Sequence, residues 1–214
     1  MNEEIEIISK NARNEKIKNF FVNNKKKIII FFIIIILGIF GFFIYEDYKL
    51  KQKENLANKY NQGVIKHDLG QKNNIKKIFE EIVFARDNTY SPLAFYFLMD
   101  NDLITSRDEI NDYFDILINE TRLDEESKNL TIFKKGLFNS EFAKENDLLN
   151  ILNPIIKSES IWKPHALYLM AEYYFANNEK QKSKEFLDQI ISLEDVVPKI
   201  KIQAQKRLRL DFSE

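Results

Sequence analysis

The side chains able to do chemistry are few and scattered. The 214-residue chain holds two histidines and no cysteine, which removes disulfides, thiolate metal sites and a cysteine nucleophile. His67 falls in a polar junction near Gly70 and reads as a solvated side chain, while His165 follows Pro164 at the start of a helical segment. Asp100, Asp102 and Asp108 suggest a calcium loop, but Ile104 stands where an oxygen ligand is needed and no turn glycine follows, so they read as turn and capping residues. Asp124, Glu125 and Glu126 fit a helix N-terminus, where carboxylates meet the positive end of the backbone dipole. There is no glycine-rich phosphate loop and no HExxH or GxSxG motif. The expectation is a non-catalytic protein with no catalytic residue, cofactor or metal.

A recognition surface is the better-supported chemistry. His165, Tyr168, Glu172 and Phe175 recur at i, i+3, i+7 and i+10, which keeps them on one stripe of a helix. They sit in a segment with tetratricopeptide spacing: small Ala171, then Tyr174, a turn at Asn177 and Asn178, small Ser183, then Leu187 and Ile190, and later Pro198. Small residues let paired helices approach closely, and the large ones fill the groove between one hairpin and the next. In that architecture the first helix of each hairpin lines the concave surface, which makes the four-residue stripe the candidate protein-binding groove. The competing assignment puts Tyr168 and Phe175 in the core.

Helical periodicity runs through the rest of the body. Ile75, Ile78, Phe79, Ile82 and Val83 form one apolar face. Ser91 and Pro92 predict an N-cap and first-turn proline for a helix over residues 93–99, and Ser106 with Glu109 predicts a capping box ahead of Ile110, Tyr113, Phe114 and Leu117. Further helices are predicted over 125–140, 145–156, 162–176, 180–193 and 196–210. No alternating strand with hairpin chemistry occurs in the body. The predicted fold is all-α, with eight or nine helices of about 12 to 17 residues stacked as tetratricopeptide-like hairpins.

One segment stands apart. Residues 28–44 carry no charge and consist of nine Ile, five Phe, one Leu and two Gly, and Tyr45 extends the run. At 1.5 Å per residue the stretch covers about 27 Å, close to the roughly 30 Å bilayer core. Its Ile, Leu and Phe residues give on the order of −5 to −9 kcal/mol for insertion. Phe20, Phe21 or Tyr48 fit the membrane interfaces. The run is too long for a signal peptide and leads into Tyr45, Glu46, Asp47 and Tyr48 instead of a small-residue cleavage site. Gly38 and Gly41 share a face but miss GxxxG spacing. Lys25, Lys26 and Lys27 precede the run and Glu46 and Asp47 follow it, so the positive-inside rule predicts a cytoplasmic N-terminus and an exported body. The expected organisation is a tail at 1–27, a transmembrane helix at 28–45, a helical stalk at 46–70 and a helical-repeat domain at 71–214.

Overall charge gives no case for a nucleic-acid partner, since 32 basic side chains face 33 acidic ones. Residues 1–45 hold 7 basic and 4 acidic side chains, leaving 25 and 29 downstream. Ile, Lys and Asn make up 78 of the residues, a skew resembling AT-rich coding bias, so single Lys and Asn residues carry little information.

With this layout in place, the chain resembles the YfgM-like family, tetratricopeptide-like ancillary subunits of the bacterial Sec translocon. The resemblance is carried by the helix-like stretch at 17–24, the Lys25-Lys26-Lys27 start of the span and the stalk. It continues through the Asn88-Thr89-Tyr90 turn and the segment from Trp162 into the terminal repeat. It implies a single-pass bacterial inner-membrane protein whose periplasmic domain docks beside the Sec translocon, associates with periplasmic chaperones and meets unfolded or exported polypeptides. Two functions remain open at this point: an accessory of Sec-dependent export and chaperoning, and a scaffold for another envelope process such as outer-membrane or cell-wall assembly.

Overall fold

Every described element is helical. The computed structural model describes residues 2–71, 74–194 and 197–212, with the side chains of 2–12, 14, 17, 21 and 28 outside that description. The expected start of the last helix at Val196 and the interfacial role of the Phe21 side chain lie outside the described residues. No strand occurs among the described ones. The chain divides into two compact units, Met1–Asn55 and Leu56–Glu214.

The first unit is part of α1, Asn2–Asp68. Its large apolar side chains between Ile29 and Tyr45 are each 40–69% exposed, so none of them is packed into a core. A helix that is apolar on all sides and buries none of them is suited to a lipid solvent. One described helix is thus long and apolar enough to cross a membrane.

The second unit is a series of antiparallel hairpins. It contains α2 (Ile75–Val83), α3 (Tyr90–Asp100), α4 (Arg107–Asp115), α5 (Glu125–Asn139), α6 (Glu145–Ile156), α7 (Lys163–Ala176), α8 (Lys180–Ser192) and α9 (Pro198–Asp211). Helices α2 and α3, α5 and α6, and α7 and α8 pair; α7 also meets α5 and α6, and α9 packs on both α7 and α8. This is the predicted all-α stack of helical hairpins. Helices α2, α3 and α4, of 9, 11 and 9 residues, are shorter than the expected 12 to 17.

Three apolar clusters follow one another along the series. The first joins α2, α3 and α4 around Phe79, Phe95, Leu98 and Phe114, with Leu56, Tyr60 and Val64 packed against it. The second gathers Ile132, Leu148, Leu152, Ile155, Met170 and Tyr174. The third holds Leu167, Ala171, Leu187, Ile190 and Ala204. Each fully buried Leu, Ile or Phe contributes roughly 1.5–3 kcal/mol of transfer free energy.

Local chemistry sets the helix ends. Ser106 accepts from the Glu109 amide, as its spacing predicts, but the Glu109 carboxylate turns to Lys76 and Tyr113 instead of back to the cap. The expectation for Ser91 is corrected. Helix α3 begins at Tyr90, one residue before it, and Asp87 Oδ1 accepts from the amides of Thr89 and Tyr90 at 2.9 and 2.8 Å. Ser91 is fully buried, and its hydroxyl donates to the Ile82 carbonyl at 2.8 Å, tying α3 to α2. Asp124 caps α5 by accepting from the Ser127 amide and hydroxyl, which holds its carboxyl below the usual range. A π-helical turn, Ile116–Glu120, ends α4 and has no counterpart in the periodicity.

Candidate functional site

The terminal hairpin owes its close pairing to side-chain size. Ala171 and Ser183 are nearly inaccessible and leave room for the two backbones, while Leu187, Ile190 and Tyr174 fill the space around them. The turn is closed by Asn178, which adopts the left-handed conformation (φ 61°) that asparagine tolerates better than most residues. Tyr174 also reaches across to α6, donating to Glu145 Oε1 at 2.8 Å, and Lys182 of α8 binds the same oxygen at 2.9 Å. Those hydrogen bonds from Lys182 and Tyr174 lower the Glu145 pKa. Burial, followed by Glu145, pushes the Tyr174 phenol up to about 12.

The candidate stripe on α7 is divided. His165 packs against Trp162 (ring centroids 5.2 Å apart) and Phe133 of α5 (5.9 Å), and Phe133 stacks on Trp162. Its Nδ1 is buried and meets no protein hydrogen-bond partner among the described residues. Tyr168, Glu172 and Phe175 face α9 instead. Arg207 donates from Nε and Nη2 to the two Glu172 oxygens, each at 2.8 Å, in a fork-to-fork pair. Its guanidinium carbon lies 4.4 Å from the Phe175 ring centroid, and Phe212 meets the same ring edge-on at 5.9 Å. Arg207 also binds Asp211. Tyr168 packs against the third cluster, and burial, then the Glu172 charge, raises its pKa.

Beside the stripe, a cleft of about 570 Å³ opens between the α5–α6 turn and the C-terminal half of α7. Glu141 and Glu172 give it acidic character, and Phe142, Ala143, Leu169 and Ala176 give it an apolar floor. Arg107 stacks over Phe142 at 4.1 Å. Smaller clefts lie by Lys163 and Ser192 (about 470 Å³) and by Asp115 and Lys135 (about 280 Å³). Most buried polar side chains with an assigned partner serve structure: Asn111 and Asn139 exchange amide hydrogen bonds, and Ser160 donates to Glu126. Among the described residues no three His, Asp or Glu side chains gather as metal ligands.

A hairpin array with an acidic and aromatic cleft between its helices is an arrangement suited to holding polypeptide. Residues 18–101 match the tetratricopeptide repeat-like domain family. The match runs through the apolar part of α1 and the α2–α3 hairpin, while the α7–α8 hairpin with the clearest repeat spacing lies beyond it. No curated protein and no solved structure matches the chain. A tetratricopeptide repeat-like domain is a protein-interaction module, and protein partners follow from it.

Sequence reasoning missed Arg207. The chain has 26 Lys and only 6 Arg, so the scarcity of arginine was the available signal, because lysine cannot form a planar two-bond pair with a carboxylate. His67, expected to be solvated, is half-buried with its ring edge-on to Phe97 at 5.2 Å. Proximity in space to α3, not composition, decides that contact.

Proposed function

We propose that the protein is a membrane-anchored, non-catalytic interaction module that assists Sec-dependent export and periplasmic chaperoning. The observation that carries this reading is the combination, in one chain, of an unburied apolar helix with a hairpin array that bears a cleft lined by Glu141, Glu172, Phe142 and Tyr173. On this reading residues 1–27 form a cytoplasmic tail, 28–45 span the bacterial inner membrane, 46–70 form the stalk, and the repeats at 71–214 face the periplasm. Tyr168, Glu172 and Phe175 belong to the polypeptide-binding side of the terminal hairpin, and His165 supports it from the α5 side against Phe133 and Trp162. Tethering raises the concentration of that surface beside its membrane partner, so weak individual contacts suffice.

Two experiments test the proposal. The chain has no native cysteine, so Lys16→Cys and Lys184→Cys report topology cleanly; a membrane-impermeant maleimide should label only the second in intact cells. Photo-crosslinkers at Phe142 and Leu169, together with one in the span, should yield translocon subunits, periplasmic chaperones and exported chains. Products confined to outer-membrane or cell-wall machinery would replace this proposal with the scaffold function.

A further inference from the structure

The terminal recognition stripe already has an occupant, and the occupant states the chemistry it prefers. Helix α9 buries only Ile200 and Ala204, with Leu208 and Phe212 partly covered. Beside the apolar packing of Ala204 in the third cluster, Arg207 ties α9 to α7, its guanidinium held by both Glu172 oxygens and by the face of Phe175. Five residues further on, Phe212 meets the same ring edge-on. A carboxylate beside an aromatic ring selects a planar cation that can hydrogen-bond in a fork and stack at once, which an arginine provides and a lysine does not.

We propose that Tyr168, Glu172 and Phe175 form a binding site for cationic amphipathic segments carrying an arginine followed by an aromatic residue, and that α9 occupies this site as an internal mimic. The proposal rests on reading the body as a polypeptide-binding module and names the class of segment it takes. Glu141 extends the acidic character into the adjoining cleft, where Leu169 and Phe142 supply apolar contact for a longer segment. An incoming segment must compete with α9, so its apparent affinity is reduced by the fraction of chains in which α9 is docked.

The test uses the full chain in lipid nanodiscs and a fluorescent peptide with the sequence of residues 198–212. The chain with Arg207→Ala, which loosens α9 and leaves Glu172 in place, should bind the peptide at least about tenfold more tightly than the wild-type chain. Adding Glu172→Gln should abolish that gain, and a peptide carrying Arg207→Ala and Phe212→Ala should bind to neither chain. No gain in the Arg207→Ala chain, a gain that survives Glu172→Gln, or equal binding of the altered peptide would overturn the proposal. Hydrogen exchange supplies a second readout. In the Arg207→Ala chain the α9 amides should exchange faster while α7 and α8 keep their protection; joint loss of protection in all three makes α9 a structural cap and refutes the mimic. If peptide binding fails while crosslinks from Phe142 and Leu169 persist, this inference falls and the interaction module stands. If the crosslinks vanish as well, both fall.

Discussion

Gly136 is the sharpest test of how the second cluster is packed. It lies on α5 facing α6, and a methyl group added there would be 3.0 Å from Leu152 Cγ and nearer still to Leu152 Cδ2. Leu152 is fully buried, so any movement away from the added methyl must displace its neighbours in the second cluster. Gly136→Ala therefore sets two effects against each other. Helix propensity favours alanine by about 1 kcal/mol, and overpacking a closed core costs about 1–3 kcal/mol. The net expectation is a loss of about 1 kcal/mol, or a Tm lowered by about 2–4 °C for a domain of this size. Leu152→Ala alone should cost about 2–5 kcal/mol. In that background Gly136→Ala should become stabilising by up to about 1 kcal/mol, since the space is open and the propensity gain remains. Thermal melts followed by circular dichroism on the four chains of this cycle give the coupling. If Gly136→Ala stabilises the wild-type chain, or has the same effect in both backgrounds, the close approach of α5 and α6 does not constrain the fold.

Other perturbations address separate features. Ser91→Ala removes the buried hydroxyl donor to Ile82, and a loss of about 1 kcal/mol is expected in a denaturant titration, because that carbonyl keeps the Ala85 amide. Glu145 has a lowered folded pKa, so its contribution is intact above the ordinary glutamate value of about 4.3 and is lost as pH falls through the lower one. Glu145→Gln should flatten the acid side of the Tm profile. Tyr174 is pushed up to about 12, so its contribution is complete below the ordinary value of about 10 and is lost as pH rises toward 12; Tyr174→Phe should flatten that alkaline side. Ile36→Arg at the middle of the apolar run should weaken insertion by roughly 3–4 kcal/mol, the arginine cost plus the lost isoleucine contribution, measured as protein released by alkaline extraction of membranes.

Features repeated along the chain were legible in the sequence, and features that join distant parts were not. The apolar face of α2, the cap of α4 by Ser106 and the small residues of the α7–α8 pair each depend on neighbours within a few turns, so periodicity and residue size reveal them. The role of Ser91 depends on the Ile82 carbonyl, brought near by the fold of α2 against α3, and the local pattern pointed to a cap instead. The stripe on α7 was visible as spacing, but its division was not. His165 turns to Phe133 and Trp162, while Glu172 is taken by an arginine 35 residues later in the chain. The π-helical turn changes the register of the helix over only five residues, too short a run to leave a periodic signal.

That turn also falls where the apolar clusters have least in common. The second and third clusters share Ile156 and Phe186, and α7 contributes buried residues to both, so strain in one is felt by the other. The first and second clusters share Ile118 alone among the described residues, and Ile118 lies in the π-helical turn. In a nearest-neighbour array, cooperativity is set by such interfaces. Ile118 is thus the apolar link through which packing changes in α2 to α4 reach α5 to α9, and the Lys135–Asp115 ion pair and the Asn111–Asn139 hydrogen bonds tie the same boundary through polar groups.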